Sequence, residues 1–226
     1  MTISAEVAGT IEKLRREVSE LHARLKEYEL VAWSAGNVSA RVPNSELIVI
    51  KPSGLLYDEL TPDAMVVTDL DGTLVDGERA PSSDTFAHAY VYRAMPHVGG
   101  VVHTHSTYAV AWAAREQPIP CITTMQADEF GGDIPLGPFA LIGDDSIGRG
   151  IVQTLDDSRS TAVIMAKHGV FTIGTDARSA VKSAVLCEEV AKATHIALQI
   201  PPAPERLADD HITRLYDRYH QVYGQR

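Results

Sequence analysis

Apolar residues return every three or four positions through residues 5–30, where Ile11, Leu14, Val18, Leu21, Leu25 and Tyr28 alternate with Glu, Lys and Arg. That spacing predicts an amphipathic helix with one face in the core. The pattern then shortens. A loop is expected at Ser34-Ala35-Gly36-Asn37, then strands at Leu47 to Ile50, Met65 to Leu70 and Thr73 to Val75. The last two flank Asp71-Gly72, a hairpin-turn signal. Ser82-Ser83-Asp84 reads as a helix start leading into Thr85 to Met95. Gly99 to His103 is an apolar strand, and Tyr108 to Arg115 reads as a helix. Further on, strands are expected at Phe139 to Ile142 and Thr161 to Ala166, with a helix at Ser146 to Leu155. Asp176 can cap a long helix to about Gln199, and Glu205 to about Val222 closes the chain as another helix.

Strands and helices mix without strict alternation. This favours an α/β class with three α/β/α layers and a largely antiparallel central sheet. No repeat, linker or low-complexity run divides the chain, so residues 1–226 are expected to form a single domain.

Composition narrows the function. The 226 residues are 45% hydrophobic and 22% charged, an ordinary globular balance that excludes disorder. Twenty Lys and Arg against 30 Asp and Glu leave a net charge of −10, which argues against general nucleic-acid or anionic-membrane partners. Cys121 and Cys187 stand far apart, which is no disulfide framework and fits a cytoplasmic setting. No signal-peptide core and no apolar run long enough to span a bilayer is seen, so a membrane location is not expected.

The candidate chemistry lies at Val101-Val102-His103-Thr104-His105. Residues i and i+2 of a strand share a face, so two imidazoles stand side by side at the end of an apolar run. The pair reads either as half of a metal site or as two hydrogen-bonded histidines near a strand end. His168, between an apolar strand and Gly169, is a third candidate, and Asp84 at a helix start is a plausible oxygen neighbour. Three histidines, with or without a carboxylate, suit zinc with positions left open for substrate. His88 and His195 are expected on helix surfaces or in the core, and His22 and His97 in solvent. His211 and His220 fall in the last helix near Tyr223.

Three polar loops share a composition suited to an anion: Gly36-Asn37, Lys51-Pro52-Ser53-Gly54 and Ser82-Ser83. Glycines and helix starts expose N–H donors, and Lys51 adds a full charge. Each alone is also explained as a turn or cap. None is a Walker loop, and no Gly-x-Gly-x-x-Gly follows a strand.

Seven segments in order carry a family resemblance: Gly36-Asn37-Val38-Ser39, Lys51-Pro52-Ser53-Gly54, Pro81-Ser82-Ser83-Asp84, His103-Thr104-His105, Ala127-Asp128, Lys167-His168-Gly169 and Tyr223-Gly224-Gln225. From about Leu30 onward the chain resembles the class II aldolase/epimerase family, on the side of its L-ribulose-5-phosphate 4-epimerases. The resemblance implies a Zn2+ site (Mn2+ or Co2+ as alternatives) from His103, His105 and His168, with Asp84 on or close to the metal. It implies that Gly36, Asn37, Ser53, Gly54, Ser82 and Ser83 line a phosphorylated ketopentose, with Lys51 and Thr124 as further contacts. Asp128 and Tyr223 match the epimerase acid/base pair, the tyrosine coming from a neighbouring subunit of a cyclic homotetramer.

The related aldolases, acting on fuculose or rhamnulose phosphate, carry a glutamate where Asp84 stands and are the nearest alternative. The segment Thr123-Thr124-Met125-Gln126-Ala127-Asp128 departs from the Thr-Thr-His-Ala-Asp of the enterobacterial enzymes. The final helix aligns with a one-residue shift, which leaves His211 and Arg214 without an assigned role. Two further resemblances compete. Asp69-Leu70-Asp71-Gly72-Thr73-Leu74 with Gly143-Asp144-Asp145 resembles the haloacid-dehalogenase phosphatase motifs. The adducin head domain resembles the family without catalysis. The hairpin reading of Asp71-Gly72 opposes the first, and the set of three histidines, Asp128 and Tyr223 opposes the second.

Overall fold

The computed structural model describes residues 4–222. Helix α1 (Ala5–Glu27) starts at Ser4, whose hydroxyl accepts the Val7 N–H at 3.3 Å. Its apolar stripe buries Ile11, Val18, Leu21 and Leu25, each burial worth about 1.5–3 kcal/mol. Strands β1 (Asn37–Arg41), β2 (Leu47–Ile50), β3 (Val66–Asp69) and β4 (Leu74–Asp76) follow, with two short 3-10 turns before β3. Then come α2 (Thr85–Ala94), β5 (Gly100–Thr104), α3 (Thr107–Ala114), α4 (Thr124–Phe130), β6 (Leu136–Gly137) and α5 (Ser146–Leu155). The hairpin β7 (Ala162–Met165) and β8 (Val170–Gly174) leads into α6 (Ala177–Ala197) and α7 (Asp209–Gln221).

Among the described residues the strands form one eight-stranded sheet in the order β4-β3-β2-β1-β5-β8-β7-β6. Every pairing is antiparallel except β6 with β7. Side-chain alternation sorts the two faces. Val38, Val49, Val67 and Val102 pack with α1 and α6. Ile48, Val101, Val163 and Phe171 pack with α2 and α5. Helix α3 joins α6 over Ile164 and Val170. The three-layer α/β/α class with a largely antiparallel sheet is therefore the observed one. No described helix is long and apolar enough to cross a membrane. Both cysteines are free and buried.

Several elements differ from expectation. Residues 139–142 form no strand: Phe139, Leu141 and Ile142 are exposed, and Pro138 and Gly143 bracket them outside the sheet. Strands β1 and β8 and helix α4 stand where no element was expected. Helix α7 starts at Asp209, later than Glu205. His22 is fully buried rather than solvated. Its Nδ1 donates to the Val18 carbonyl at 2.7 Å and its Nε2 accepts the Val38 N–H at 2.9 Å.

The phosphatase motifs resolve into local structure. Asp69 Oδ1 accepts N–H groups from Asp71 (3.0 Å) and Thr73 (2.8 Å), closing the β3–β4 turn. Asp144 Oδ1 accepts the Ser146 N–H at 2.8 Å, at the start of α5.

Candidate metal centre

Strand β5 delivers His103 at its C-terminal end, 1% exposed. A carbonyl can only accept, so the 2.9 Å contact to Val170 O puts the proton on His103 Nδ1. That leaves Nε2 as a lone pair. The ring also stacks on Phe171, with centroids 4.1 Å apart and 13° between planes. His105 lies just past the strand, and its Nε2 is 2.8 Å from His103 Nε2. His168 sits on the β7–β8 turn, where Met165 N–H reaches Gly169 O at 2.8 Å. A methyl group on Gly169 would stand 2.6 Å from Thr104 O and 3.1 Å from His103 Cε1, so the turn needs glycine to approach β5. One ligand atom from each of the three histidines falls within 4.8 Å of the others.

Burial above all holds His103 down to about 4, with His105 and His168 adding to it and the Asp84 charge pulling the other way. Burial likewise lowers His105 and His168. All three are neutral near pH 7, the form that donates a lone pair to a metal.

Asp84, at the entrance to α2, joins them. Its Oδ2 accepts from Asn37 Nδ2 at 2.7 Å, while the buried Oδ1 has no hydrogen-bond partner. Burial pushes this carboxyl up, but His103, His88 and the Asn37 amide outweigh it, so it stays ionised. Three unprotonated imidazoles and one orphaned carboxylate oxygen fit a divalent cation of the zinc class.

The opposite wall is made of loops. Gly36 has φ +80°, and a methyl there would stand 2.7 Å from Val31 Cγ1 and 2.9 Å from His103 O. Glycine alone lets this loop cross over β5. Lys51 is buried, and its Nζ donates to Ser34 O at 2.8 Å. Desolvation lowers its pKa, against the pull of Asp84. The Lys51–Gly54 and Ala80–Asp84 loops are stitched by Ser53 N–H to Ala80 O (2.9 Å) and Ser82 N–H to Lys51 O (3.0 Å).

Gly36, Asn37, Lys51, Ser53, Gly54, Ser82, Ser83, Asp84, His103, His105 and His168 thus line one cavity of about 340 Å³. Thr124 and Asp128 do not line it. Both belong to α4, and Asp128 Oδ1 faces Arg218 Nη2 on α7 at 3.6 Å. Tyr223 lies outside the described residues. Sequence reasoning missed Ile142 in the cavity wall and Phe171 behind His103. The register of β5 with β8 pairs His103 with Phe171, and only the sheet itself reveals that.

A family model described as Class II Aldolase and Adducin N-terminal domain matches residues 16–195. The chain belongs to this class II aldolase/adducin family. It is 40% identical to the L-ribulose-5-phosphate 4-epimerase UlaF of Salmonella paratyphi C (strain RKS4594), over 96% of this chain and 100% of that one. Among solved structures, an L-fuculose 1-phosphate aldolase superposes with TM-score 0.86 at 25% identity, over 92% of this chain and 96% of that one. YgbL from Klebsiella pneumoniae, titled a putative aldolase/epimerase/decarboxylase, superposes with TM-score 0.80 at 27% identity, over 91% and 99%. The class II aldolase fold thus covers nearly the whole chain.

Proposed function

We propose that this chain is a divalent-metal-dependent 4-epimerase of a ketopentose phosphate, interconverting L-ribulose 5-phosphate and D-xylulose 5-phosphate. One observation carries the reading: the cavity joins a cation-binding end of three neutral imidazoles and Asp84 to an anion-binding end of Lys51, hydroxyls and glycine N–H groups. A sugar phosphate offers adjacent oxygens for the first end and a phosphate for the second. The full-length likeness to a 4-epimerase selects the reaction.

The hydroxyl-bearing C4 of such a sugar has no acidic C–H, so simple deprotonation there is hard. Cleaving the C3–C4 bond in a retro-aldol step gives the enediolate of dihydroxyacetone and glycolaldehyde phosphate. Turning the aldehyde and re-forming the bond inverts C4. His103, His105 and His168 would hold the metal, with Asp84 at its side. A bound divalent ion, Zn2+ by its match to nitrogen donors and Mn2+ or Co2+ as alternatives, supplies Lewis-acid stabilisation where negative charge develops.

Ser53, Gly54, Ser82 and Ser83, with Gly36, Asn37 and Lys51, hold the phosphorylated part so that the aldehyde turns without escaping. Asp128 and Tyr223 serve opposite faces, one taking the C4 hydroxyl proton and the other returning a proton after the turn. The tyrosine reaches the substrate from a neighbouring subunit of a homotetramer.

The decisive assay follows L-ribulose 5-phosphate conversion to D-xylulose 5-phosphate with and without chelator. Metal-dependent interconversion is expected, and chelator-insensitive turnover rejects the reading. A sugar-phosphate aldolase is the second reading, favoured by the fuculose-phosphate aldolase superposition. Against it, Asp84 is one methylene shorter than the glutamate of those enzymes and is tied to Asn37. Net condensation of dihydroxyacetone with glycolaldehyde phosphate far above interconversion would favour the aldolase.

A further inference from the structure

The three imidazoles are not equally anchored. His103 is pinned by Val170 O and Phe171, whereas His105 is exposed and its ring hydrogen-bonds His103 alone among the described residues. The place of His105 therefore depends on its backbone, which runs directly into α3.

The N-terminus of α3 is capped in an unusual way. Ser106 occupies the N-cap position with extended backbone, but its hydroxyl makes no cap bond and is buried without a partner. An N-cap side chain ordinarily accepts from the second or third helical N–H. Here both of those groups are taken by one carboxylate from another helix. Tyr108 N–H donates to Glu188 Oε1 at 2.8 Å and Ala109 N–H to Glu188 Oε2 at 2.9 Å. The carboxylate also meets the positive end of the helix dipole.

The far end of α3 holds the third ligand. Ala113 O, in its last turn, accepts the Lys167 N–H at 3.0 Å, and Lys167 Nζ pairs with Glu116 at 3.0 Å. Lys167 directly precedes His168 and has φ +58°. Trp112 Nε1 donates to Ala191 O at 3.2 Å, tying the same helix to α6 a second time. One short helix thus carries His105 at its entrance and steadies the His168 turn at its exit.

We propose that Glu188 is a positioning residue for the metal centre, setting the spacing of His105 and His168 by gripping the start of α3. This rests on the metal assignment above and not on the choice of sugar.

The test compares wild type, E188A, E188Q and V181A as full-length chains. Val181 is buried on α6 against the α1 side of the sheet, so V181A controls for general loss of stability. Zinc affinity is measured by chelator competition, and the visible absorption spectrum of the cobalt(II)-loaded protein reports ligand geometry. E188A is expected to weaken zinc by about 10- to 100-fold, the range for outer-shell partners of metal ligands, and to change the cobalt spectrum. E188Q, with one acceptor left, should fall between E188A and wild type. V181A should melt earlier yet keep both metal readouts. If E188A does not fold, E188Q decides. Wild-type affinity and spectrum in E188Q, together with any foldable E188A, overturn the proposal, as does a wild-type chain that takes up no cobalt. A wild-type chain that binds cobalt but leaves pentulose phosphates untouched sinks the substrate reading alone, and the Glu188 comparison is then read unchanged.

Discussion

The imidazole end of the sheet and the corner where α4 meets α7 hold functional candidates in opposite ways. His103 emerges from a central strand, hydrogen-bonded to Val170 O and stacked on Phe171. Asp128 projects from a seven-residue helix, its carboxylate 3.6 Å from Arg218. The first arrangement fixes a lone pair in one direction, which coordination needs. The second leaves a carboxylate against a guanidinium near the surface, which suits a group that exchanges protons with a substrate held elsewhere. On the proposed function, one chain would thus contribute a rigid binding half and a separate acid/base half.

His103→Asn should break the contrast at its stiff end. Metal content by elemental analysis should collapse, and activity should fall by about 10³-fold or more, beyond the loss of a single charge-stabilising donor. A metal-free variant with normal turnover would refute the mechanism. Asp128→Asn tests the other end: metal content should stay at wild-type level while kcat drops by about 10²- to 10⁴-fold, the share of a general acid or base. Loss of metal in that variant would erase the distinction between the two regions.

Gly169→Ala sharpens the picture at the stiff end. The added methyl meets Thr104 O and the His103 ring, so overpacking of about 1–3 kcal/mol is expected, together with weaker metal binding. Thermal melting and a metal titration read the two effects.

The smallest effect concerns protons. Burial holds His22 and His88 down to about 3, so both stay neutral in the fold. The unfolded chain protonates them near the ordinary value of about 6.5. Their stabilisation is therefore complete above that pH and is lost progressively as pH falls towards 3, at about 1.4 kcal/mol per pH unit for each. Urea midpoints at about pH 7 and 5.5 should show it, and His22→Gln should flatten the slope.

Long periodic elements were legible because their burial repeats within a single helix or strand. Helices α1, α2, α5 and α6 and strands β2 and β5 fall close to expectation. Strand β1 was hidden because its core position Ser39 is polar, and its hydroxyl is satisfied by His88 (2.7 Å) and Tyr92 (2.8 Å) from α2. Residues 139–142 misled in the other direction: an apolar run without a neighbouring strand stays exposed. His22 was readable after all, since it falls four residues after Val18 and three before Leu25, on the buried stripe. The approach of His168 to His103 and His105 was legible as a candidate from glycine and strand-end position. The grip of Glu188 on α3 was not, because the partners are 79 and 80 residues apart and carry no shared local signal.

The zipper between the Lys51–Gly54 and Ala80–Asp84 segments has a kinetic consequence. With Pro52 bridged to Pro81 and two backbone hydrogen bonds beside them, the phosphate of the proposed substrate would meet one preassembled plate instead of two arms that must clasp. Capture should then track diffusion and ionic strength, and no slow tightening phase should follow first contact.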